Sequence, residues 1–568
     1  MKQKKHFLTF ILISLTCLLM AQTTITGKVI DAKSKEALLG VLVVAEGTSI
    51  GTTTDLDGKY SLSVPATAKR LSFSLTGMIT QRVEIGASSL LNISLEPNDK
   101  LLNDVIVTAL NVKREQRSLG YSTTTISNEE LNKTNGRSAI EELQGKVAGV
   151  NITSTNGSPG SSTRIVMRGG NSLLGNQQAL IVVDGIPINN SSYGMADDFN
   201  GKADELNNAI DYGNRGNDIN PNDIQSITVL KGPAASALYG SRGSQGAVII
   251  TTKSGGLSAN GGKKFKVAIN STTSFHNILK LPEFQNEYGQ GGEGITDSRE
   301  NFSWGPKFDG SMQPWGQAIL DDSGNLIQKI KPYSALPNNV KGFFNTGLTL
   351  NNNISIQGGT PKTNYYLSYN NLTNKGVIPT TGYTRNSVKL NAGHEFSDKL
   401  TSDASITYVK TKGDLVSQGQ SNYSVYDQIL QTPRDISLQE IKDLNDPFNS
   451  LEHFYGAYTL NPYYVLANQK NNNEVDRLLS TVSINYTPLT WLKMTARVGN
   501  DYSTDARYER HRRFAVTDGG QNDGQHDDGL YSEDIYRTNE LNSDLLANIN
   551  KKFKHDIGFN FLIGYNFN

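Results

Sequence analysis

ITVLKGPAASALYGSRGSQGAVIITTK, residues 227–253, holds two short β-branched runs, Ile227–Leu230 and Ala247–Thr252, around a segment rich in Gly, Ala and Ser. The outer runs read as strands. Between them, Pro233 followed by Ala234, Ala235, Ala237 and Leu238 predicts one short helix opened by proline. Gly240, Gly243 and Gly246 then turn the chain back. The small side chains allow close backbone packing. The segment holds nothing that resembles a nucleophile, a metal cluster or a phosphate loop, so it reads as a compact piece of a larger unit.

Working outward, 568 residues exceed one ordinary domain. Fifty-four basic side chains balance 54 acidic ones, which gives nucleic-acid binding no bulk electrostatic support. The mean hydropathy is that of a soluble protein, but a membrane barrel hides its apolar face in a period of two. Lys2, Lys4 and Lys5, the apolar run Phe7–Met20 and Ala21 form a secretory signal peptide, residues 1–21. Cys17 is the single cysteine. The residues before it, Ser14-Leu15-Thr16, fit a lipoprotein signal poorly. After Ala21 no apolar run reaches the roughly 18 residues of a transmembrane helix. Export without an apolar helix leaves a periplasmic protein, a secreted protein or an outer-membrane barrel.

Residues 23–97 predict a small all-β sandwich. Strands are expected at Ile25–Ile30, Val41–Val44, Tyr60–Val64, Leu71–Leu75, Gln81–Ile85 and Leu91–Leu95, with Asp, Gly and Pro between them. Asp55, Asp57 and Gly58 have the start of a calcium loop, but position 66 is Ala where the loop requires Glu, so a polar turn is expected. Thr54-Asp55-Leu56-Asp57-Gly58-Lys59-Tyr60 resembles the turn of the carboxypeptidase-regulatory-like domain, which is not a peptidase.

Residues 98–119 form a joint. Leu101–Leu110 is a β-branched run between two domains and reads either as a linker strand or as an edge offered for strand addition. Its core of Asp104, Val105, Ile106, Val107, Thr108 and Ala109 resembles a TonB box. Residues 120–253 follow. Two short helices are expected within Asn128–Leu143, strands at Val147–Ile152, Arg164–Arg168 and Ala179–Val183, and a long, polar, irregular stretch at Asn189–Asn222.

Five pieces of residues 120–253 together resemble the plug domain of SusC/RagA-type TonB-linked outer-membrane proteins. They are Arg168-Gly169 with Ser172, the turn Val183-Asp184-Gly185-Ile186-Pro187, Asp223–Ile227, Leu230-Lys231-Gly232-Pro233, and Tyr239-Gly240-Ser241-Arg242-Gly243 with Gly246 beyond. A plug fills a barrel lumen, so Arg168, Lys231 and Arg242, where buried, need acidic or carbonyl partners, and the barrel wall can supply them. Asp184 has no base or metal partner that would make it catalytic.

From residue 262 to 568 the period becomes two. Ile557, Phe559, Phe561, Ile563, Tyr565 and Phe567 face one way, and Gly558, Asn560, Leu562, Gly564 and Asn566 the other. That is the length of a tilted strand crossing a bilayer. Similar strands are expected at Phe265–Thr273, Gly347–Gly358, Asn364–Leu372, Asn386–Phe396, Thr401–Lys410, Leu479–Thr487, Lys493–Tyr502 and Leu545–Phe553. Tight turns alternate with long polar segments at 411–460 and 503–537, a hairpin asymmetry that a secreted sandwich or propeller lacks. Ser303-Trp304-Gly305-Pro306-Lys307-Phe308-Asp309-Gly310 resembles a motif at the start of the same family's barrel. So do Gly359–Tyr369 and Gly376-Val377-Ile378-Pro379. Asp518–Asp528, with four Asp, Asn522 and His526, offers calcium a weak site, and a solvated loop is the simpler reading.

The expected architecture is therefore a β-sandwich, an α+β plug and an incomplete antiparallel transmembrane β-barrel. Family members close their barrel with more strands, so the chain is expected to be the N-terminal portion of a longer protein. The resemblance implies outer-membrane, TonB-dependent import of a bulky nutrient, an oligosaccharide or a peptide. TonB and its inner-membrane complex would pull on 104–109, and a SusD-type surface lipoprotein would cap the outer side. Neither enzymatic chemistry nor a cofactor is implied. An iron-chelate receptor and a barrel-anchored adhesion protein are the alternatives. A secreted glycan-active enzyme lacks any legible pair of acids.

Overall fold

The computed structural model describes residues 22–568 except 49, 66–67, 76–77, 87–88, 97–104, 108–112, 116–122, 132, 134–137, 155, 170–176, 191–209, 256–263, 420–422, 452, 455–457, 517–523 and 553–557. The signal peptide and Cys17 lie outside the described residues. The chain divides into two compact units, 1–106 with 113–120, and 107–112 with 121–568.

In the first unit, β1 (Gln22–Asp31), β2 (Leu42–Ala45), β3 (Gly51–Thr53), β4 (Lys59–Pro65), β5 (Arg70–Ser74), β6 (Gln81–Glu84) and β7 (Ile93–Leu95) make two sheets, ordered β4-β1-β7 and β3-β2-β5-β6. In β4, Tyr60, Leu62 and Val64 point inward while Lys59, Ser61 and Ser63 stay exposed. They meet Ile25, Val29, Val43, Leu71 and Phe73 in one apolar core, as a two-layer sandwich requires. Strand β3 escaped the sequence reading because Gly-Thr-Thr has no apolar residue to alternate. The Asp55 carboxylate is occupied by its own turn, accepting the N–H groups of Asp57 at 3.0 Å and Lys59 at 2.8 Å. Further on, β8 (Val105–Val107) pairs with β9 (Lys113–Glu115).

The next elements are β10 (Thr123–Ser127), α1 (Asn128–Leu131), β11 (Val150–Ser154), β12 (Thr163–Met167), β13 (Leu180–Val183), β14 (Ile186–Ile188), β15 (Ile224–Leu230), α2 (Pro233–Tyr239) and β16 (Ala247–Thr252). Among the described residues the central sheet runs β10-β15-β16-β13-β14, with β13 parallel to β16 and the other pairs antiparallel. One face buries Ile126, Ile181, Ile227, Val229, Val248 and Ile250. The other buries Val182, Leu230, Ala247 and Ile249 under Ala235 of α2. Burial on both faces explains why β15 and β16 read as unbroken β-branched runs. The 227–253 stretch is thus a strand, a proline-opened helix and an antiparallel return strand. Glycine is required at 243, where a Cβ would stand 2.6 Å from the Ala235 carbonyl. It is required at 246, where φ is +95° and Met167 Sδ would be 2.4 Å away. Strand β10 was missed because Thr-Thr-Thr carries little apolar signal, and β14 lay hidden in the Asp184–Pro187 turn.

The last region supplies β17 (Lys264–His276), β18 (Met312–Leu320), β19 (Leu326–Pro332), α3 (Asn339–Phe343), β20 (Gly347–Gly359), β21 (Thr363–Lys375), β22 (Gly382–Ser397), β23 (Leu400–Leu415), α4 (Val425–Leu430), α5 (Pro462–Asn468), β24 (Gln469–Leu489), β25 (Leu492–His511), β26 (Phe514–Ala515), β27 (His526–Asp527), β28 (Leu530–Lys552) and β29 (Gly558–Phe567). Among the described residues nine of these form one antiparallel sheet, β17-β20-β21-β22-β23-β24-β25-β28-β29. The strands outrun their sequence-based bounds. Ser503–His511 pairs with Leu530–Thr538 beyond the alternating zone, so part of the segment 503–537 is strand and not loop. Short turns at 360–362, 398–399 and 490–491 mark one end. The long excursions 277–346, 416–468 and 512–529 mark the other, the extracellular side in outer-membrane barrels.

These excursions are not merely polar. Trp315, Phe343, Val425, Ile429, Ile436, Leu438, Phe454, Tyr463 and Leu466 form a separate apolar core that joins 277–346 to 416–468.

Candidate functional site

The nine-stranded sheet separates its two faces by residue parity. On β22, Val388 and Leu390 are 44% and 43% exposed, while Arg385, Lys389 and Asn391 between and beside them are buried. On β25, Val498 and Tyr502 face outward while Arg497, Asp501, Ser503, Asp505 and Arg507 are buried. The outer face, with Leu367, Ile406, Val482 and Ile484, suits hydrocarbon. The inner face is polar and closes on residues 121–253.

Four inward wall side chains, Arg477, Arg385, Tyr366 and Ser368, grip residues 189 and 215–223. Arg477 of β24 donates to both carboxylate oxygens of Asp501, at 2.9 and 2.7 Å. It also donates to Asp218 at 3.0 Å and to the carbonyls of Arg215 at 2.9 Å and Asn189 at 3.1 Å. The Asn189 N–H in turn donates to Asp501 at 3.0 Å. Arg385 of β22 donates to the carbonyl of Asn217 at 2.6 Å. Asp223 accepts from Tyr366 at 2.8 Å and Ser368 at 2.6 Å, both on β21. The side chains of Arg477, Asp218 and Asp501 are 1–2% exposed, so the bidentate ion pair is dry.

Weaker polar ties complete the seal. Asn391 donates to Thr252 and to the carbonyl of Lys253, and Asn473 donates to the carbonyl of Tyr212. Arg507 lies between the rings of Tyr212 and Tyr536, at 4.4 and 4.6 Å. One contact is set by size alone. A Cβ on Gly499 of β25 would stand 2.4 Å from Ile186 of β14, so the wall yields there to let the plug seat.

The sequence-derived plug residues fall into structural roles around this seal. Asp184 and Gly185 have φ of +51° and +90° and close the two-residue β13–β14 hairpin, as an Asp-Gly pair should. The Asp184 carboxylate accepts from the Thr252 N–H at 2.9 Å and its hydroxyl at 2.7 Å, with Lys389 of the wall 3.6 Å away. Pro187 pairs with Val182 in the same hairpin. Gly232, at φ +60°, precedes Pro233 and opens α2, and Tyr239 ends it. Arg168, at φ +58°, is exposed beside Gly169, and Lys231 is half-buried, so neither is a buried cation in need of a wall partner. Arg242 does reach the wall, pairing with Glu540 of β28 at 3.0 Å across a partly exposed gap. Ser172, Asp104, Thr108 and Ala109 lie outside the described residues, and Val105, Ile106 and Val107 are strand β8.

Five buried cations of the inner face, Arg385, Lys389, Arg477, Arg497 and Arg507, are on the wall, and the plug contributes a buried Arg215, 3.8 Å from Asp218. Sequence reasoning missed them, although their signal was present as charges at every second place in strands such as Arg385-x-Ser387-x-Lys389. It also read 189–222 as loosely irregular. Residues 191–209 lie outside the described residues, but 210–223 are almost wholly buried.

The motif Ser303–Gly310 lies in the first excursion. Trp304 donates its N–H to the carbonyl of Gly291, and Gly305 to that of Gly289, both at 3.0 Å. Phe308 packs on Tyr333 at 4.8 Å, and Asp309 accepts from Ser311 in the turn that ends at Gly310. Tyr333 binds the Pro306 carbonyl at 2.8 Å. In the loop Asp518–Asp528, Asp518, Asn522 and Asp523 lie outside the described residues. Asp527 accepts from Tyr423 and from the Gly529 N–H. Among the described residues no cluster of three His, Cys, Asp or Glu side chains is placed to hold a metal.

Residues 115–247 match the TonB-dependent Receptor Plug Domain family, and residues 25–107 match the CarboxypepD_reg-like domain family. The TonB-dependent receptor P26 of Formosa agariphila is 28% identical over 486 residues, covering 84% of this chain and 42% of that protein. The TonB-dependent receptor SusC of Bacteroides thetaiotaomicron is 29% identical over 401 residues, covering 70% of this chain and 35% of that protein. The RagAB peptide importer in its 'open-open' state has the same fold, with a TM-score of 0.60 and 19% identity, over 82% of this chain and 48% of that one. The chain spans less than half the length of these relatives. With its leader sandwich, its plug sealed by a polar inner face and its sheet with an apolar outer face, the chain is similar to TonB-dependent receptors of the SusC/RagA type.

Proposed function

We propose that this chain supplies the gate, and the part of the wall that grips it, of a TonB-dependent importer for a bulky nutrient, an oligosaccharide or a peptide. A SusD-type lipoprotein is the partner proposed for the outer side. The observation that carries the reading is the asymmetric attachment of the plug. Residues 189 and 215–223 are clamped by Arg385 and Arg477 and by Tyr366 and Ser368, which donate to Asp223. Strand β10, the plug strand nearest in sequence to the proposed TonB box, is held in its sheet, among the described residues, by β15 alone. Force applied at 104–109 passes along the chain through β9 and meets β10 before any other strand of the plug. An edge strand can be peeled from one neighbour without tearing the rest of its sheet. No bond in the cargo is made or broken, and the work comes from the inner-membrane complex.

The test is removal of residues 104–109 in cells whose growth depends on the receptor. The deletion should abolish uptake that is sensitive to a protonophore while leaving cargo binding at the surface intact. Unchanged energised uptake would remove the box assignment.

A further inference from the structure

The first extracellular excursion carries an exposed aromatic cleft that the plug does not use. Residues 289–305 fold back on themselves. Gly291 donates to the Phe302 carbonyl at 3.0 Å and Gly294 to that of Trp304 at 2.9 Å. At Gly305 a Cβ would stand 2.2 Å from the Gln290 carbonyl, so the two layers touch backbone to backbone. The fold is pinned from below. Gln290 is buried, its N–H donates to Asp435 at 2.9 Å, and its side chain donates to the carbonyls of Ser298 and Glu300. Arg434 holds Ser303, Gln285 and Asn286.

On this rigid bed Trp304 is 74% exposed, Ile295 69% and Phe302 55%. Large apolar side chains fixed in water in one patch mark a binding surface. The cleft between them measures about 650 Å³ and is shared with Glu293, Asp297 and Glu300. That volume lies in the range of small-molecule sites. No Lys or Arg lines it; the cations near in sequence are Arg299, between Asp297 and Glu300, and Lys307, which pairs with Glu287 at 3.5 Å.

We propose that this cleft binds a cationic group, the ammonium or guanidinium of a basic peptide side chain. The negative face of an indole ring attracts a cation, and the three acidic residues that line the same space, Glu293, Asp297 and Glu300, add to that attraction. The same carboxylates repel an anionic ligand. A neutral sugar could stack on Trp304 but would gain nothing from their charge. The proposal concerns equilibrium binding at the surface and stands whether or not the plug is moved by TonB.

The experiment is isothermal titration calorimetry on the protein purified in detergent from outer membranes, with trilysine, triglutamate and maltotriose as probes. Trilysine should bind saturably and more weakly as salt is raised, and the other two should not bind. Trp304→Ala should weaken trilysine by about tenfold or more. So should the isosteric triple variant Glu293→Gln/Asp297→Asn/Glu300→Gln, whose shape preserves the loop. Absence of saturable trilysine binding would overturn the proposal. So would an affinity unchanged in the triple variant, or maltotriose binding as tightly as trilysine.

Discussion

Arg477 spends all five of its N–H groups between wall and plug, on Asp501, Asp218 and two plug carbonyls. A buried ion pair is a poor source of net stability against an apolar substitute, but removing one partner strands the others. Arg477→Met leaves two carboxylates dry and should cost about 3–5 kcal/mol locally. Hydrogen exchange at amides 213–219 should accelerate roughly hundredfold or more, and adding Asp218→Asn and Asp501→Asn should restore part of the protection. Gly499 is the steric counterpart. Gly499→Ile should unseat β14 and admit large antibiotics that the outer membrane normally excludes, and Ile186→Ala in the same chain should suppress the leak. Both residues were invisible as single letters. Asp184-Gly185 was legible because a two-residue hairpin needs φ above zero at both places, a demand written in residue type. Arg477 was not, because an arginine in a strand looks alike whether it faces water or a plug carbonyl.

Elements with a period were read well and elements without one were not. Strands β20 to β25 show themselves by strict alternation, and only their extracellular ends were cut short, where both faces turn polar. Strand β15 with α2 and β16 was legible because proline, glycine and β-branched runs each sit where the backbone requires them. The loop core was missed, since Phe343, Ile429, Leu438, Phe454 and Tyr463 come from short helices and turns with no common spacing. Phe343 is 2% exposed and packs on Tyr463 at 5.2 Å. Phe343→Ala should destabilise this layer by about 3–5 kcal/mol. Limited proteolysis should then cut within 416–468 at protease levels that spare the parent, while the barrel stays resistant.

At the scale of the molecule, the sheet runs among the described residues from β17 to β29, both bearing exposed apolar side chains such as Phe265, Ile269, Phe559 and Phe561. In the opening proposed above, residues 215–223, held by the wall, stay in place and β10, paired with β15 at the edge of the described plug sheet, moves. The most direct test fastens β10. Thr125 and Thr228 face each other across β10 and β15 with hydroxyl oxygens 3.0 Å apart, and Cys17, in the proposed signal peptide, is the single cysteine of the sequence. The variant Thr125→Cys/Thr228→Cys should form a disulfide in the oxidising cell envelope. Energised uptake should stop in the oxidised cells and return when reductant is added, with surface binding of cargo unchanged throughout. Equal uptake in the oxidised and reduced states, with the disulfide shown to be fully formed, would contradict the opening of the gate through β10.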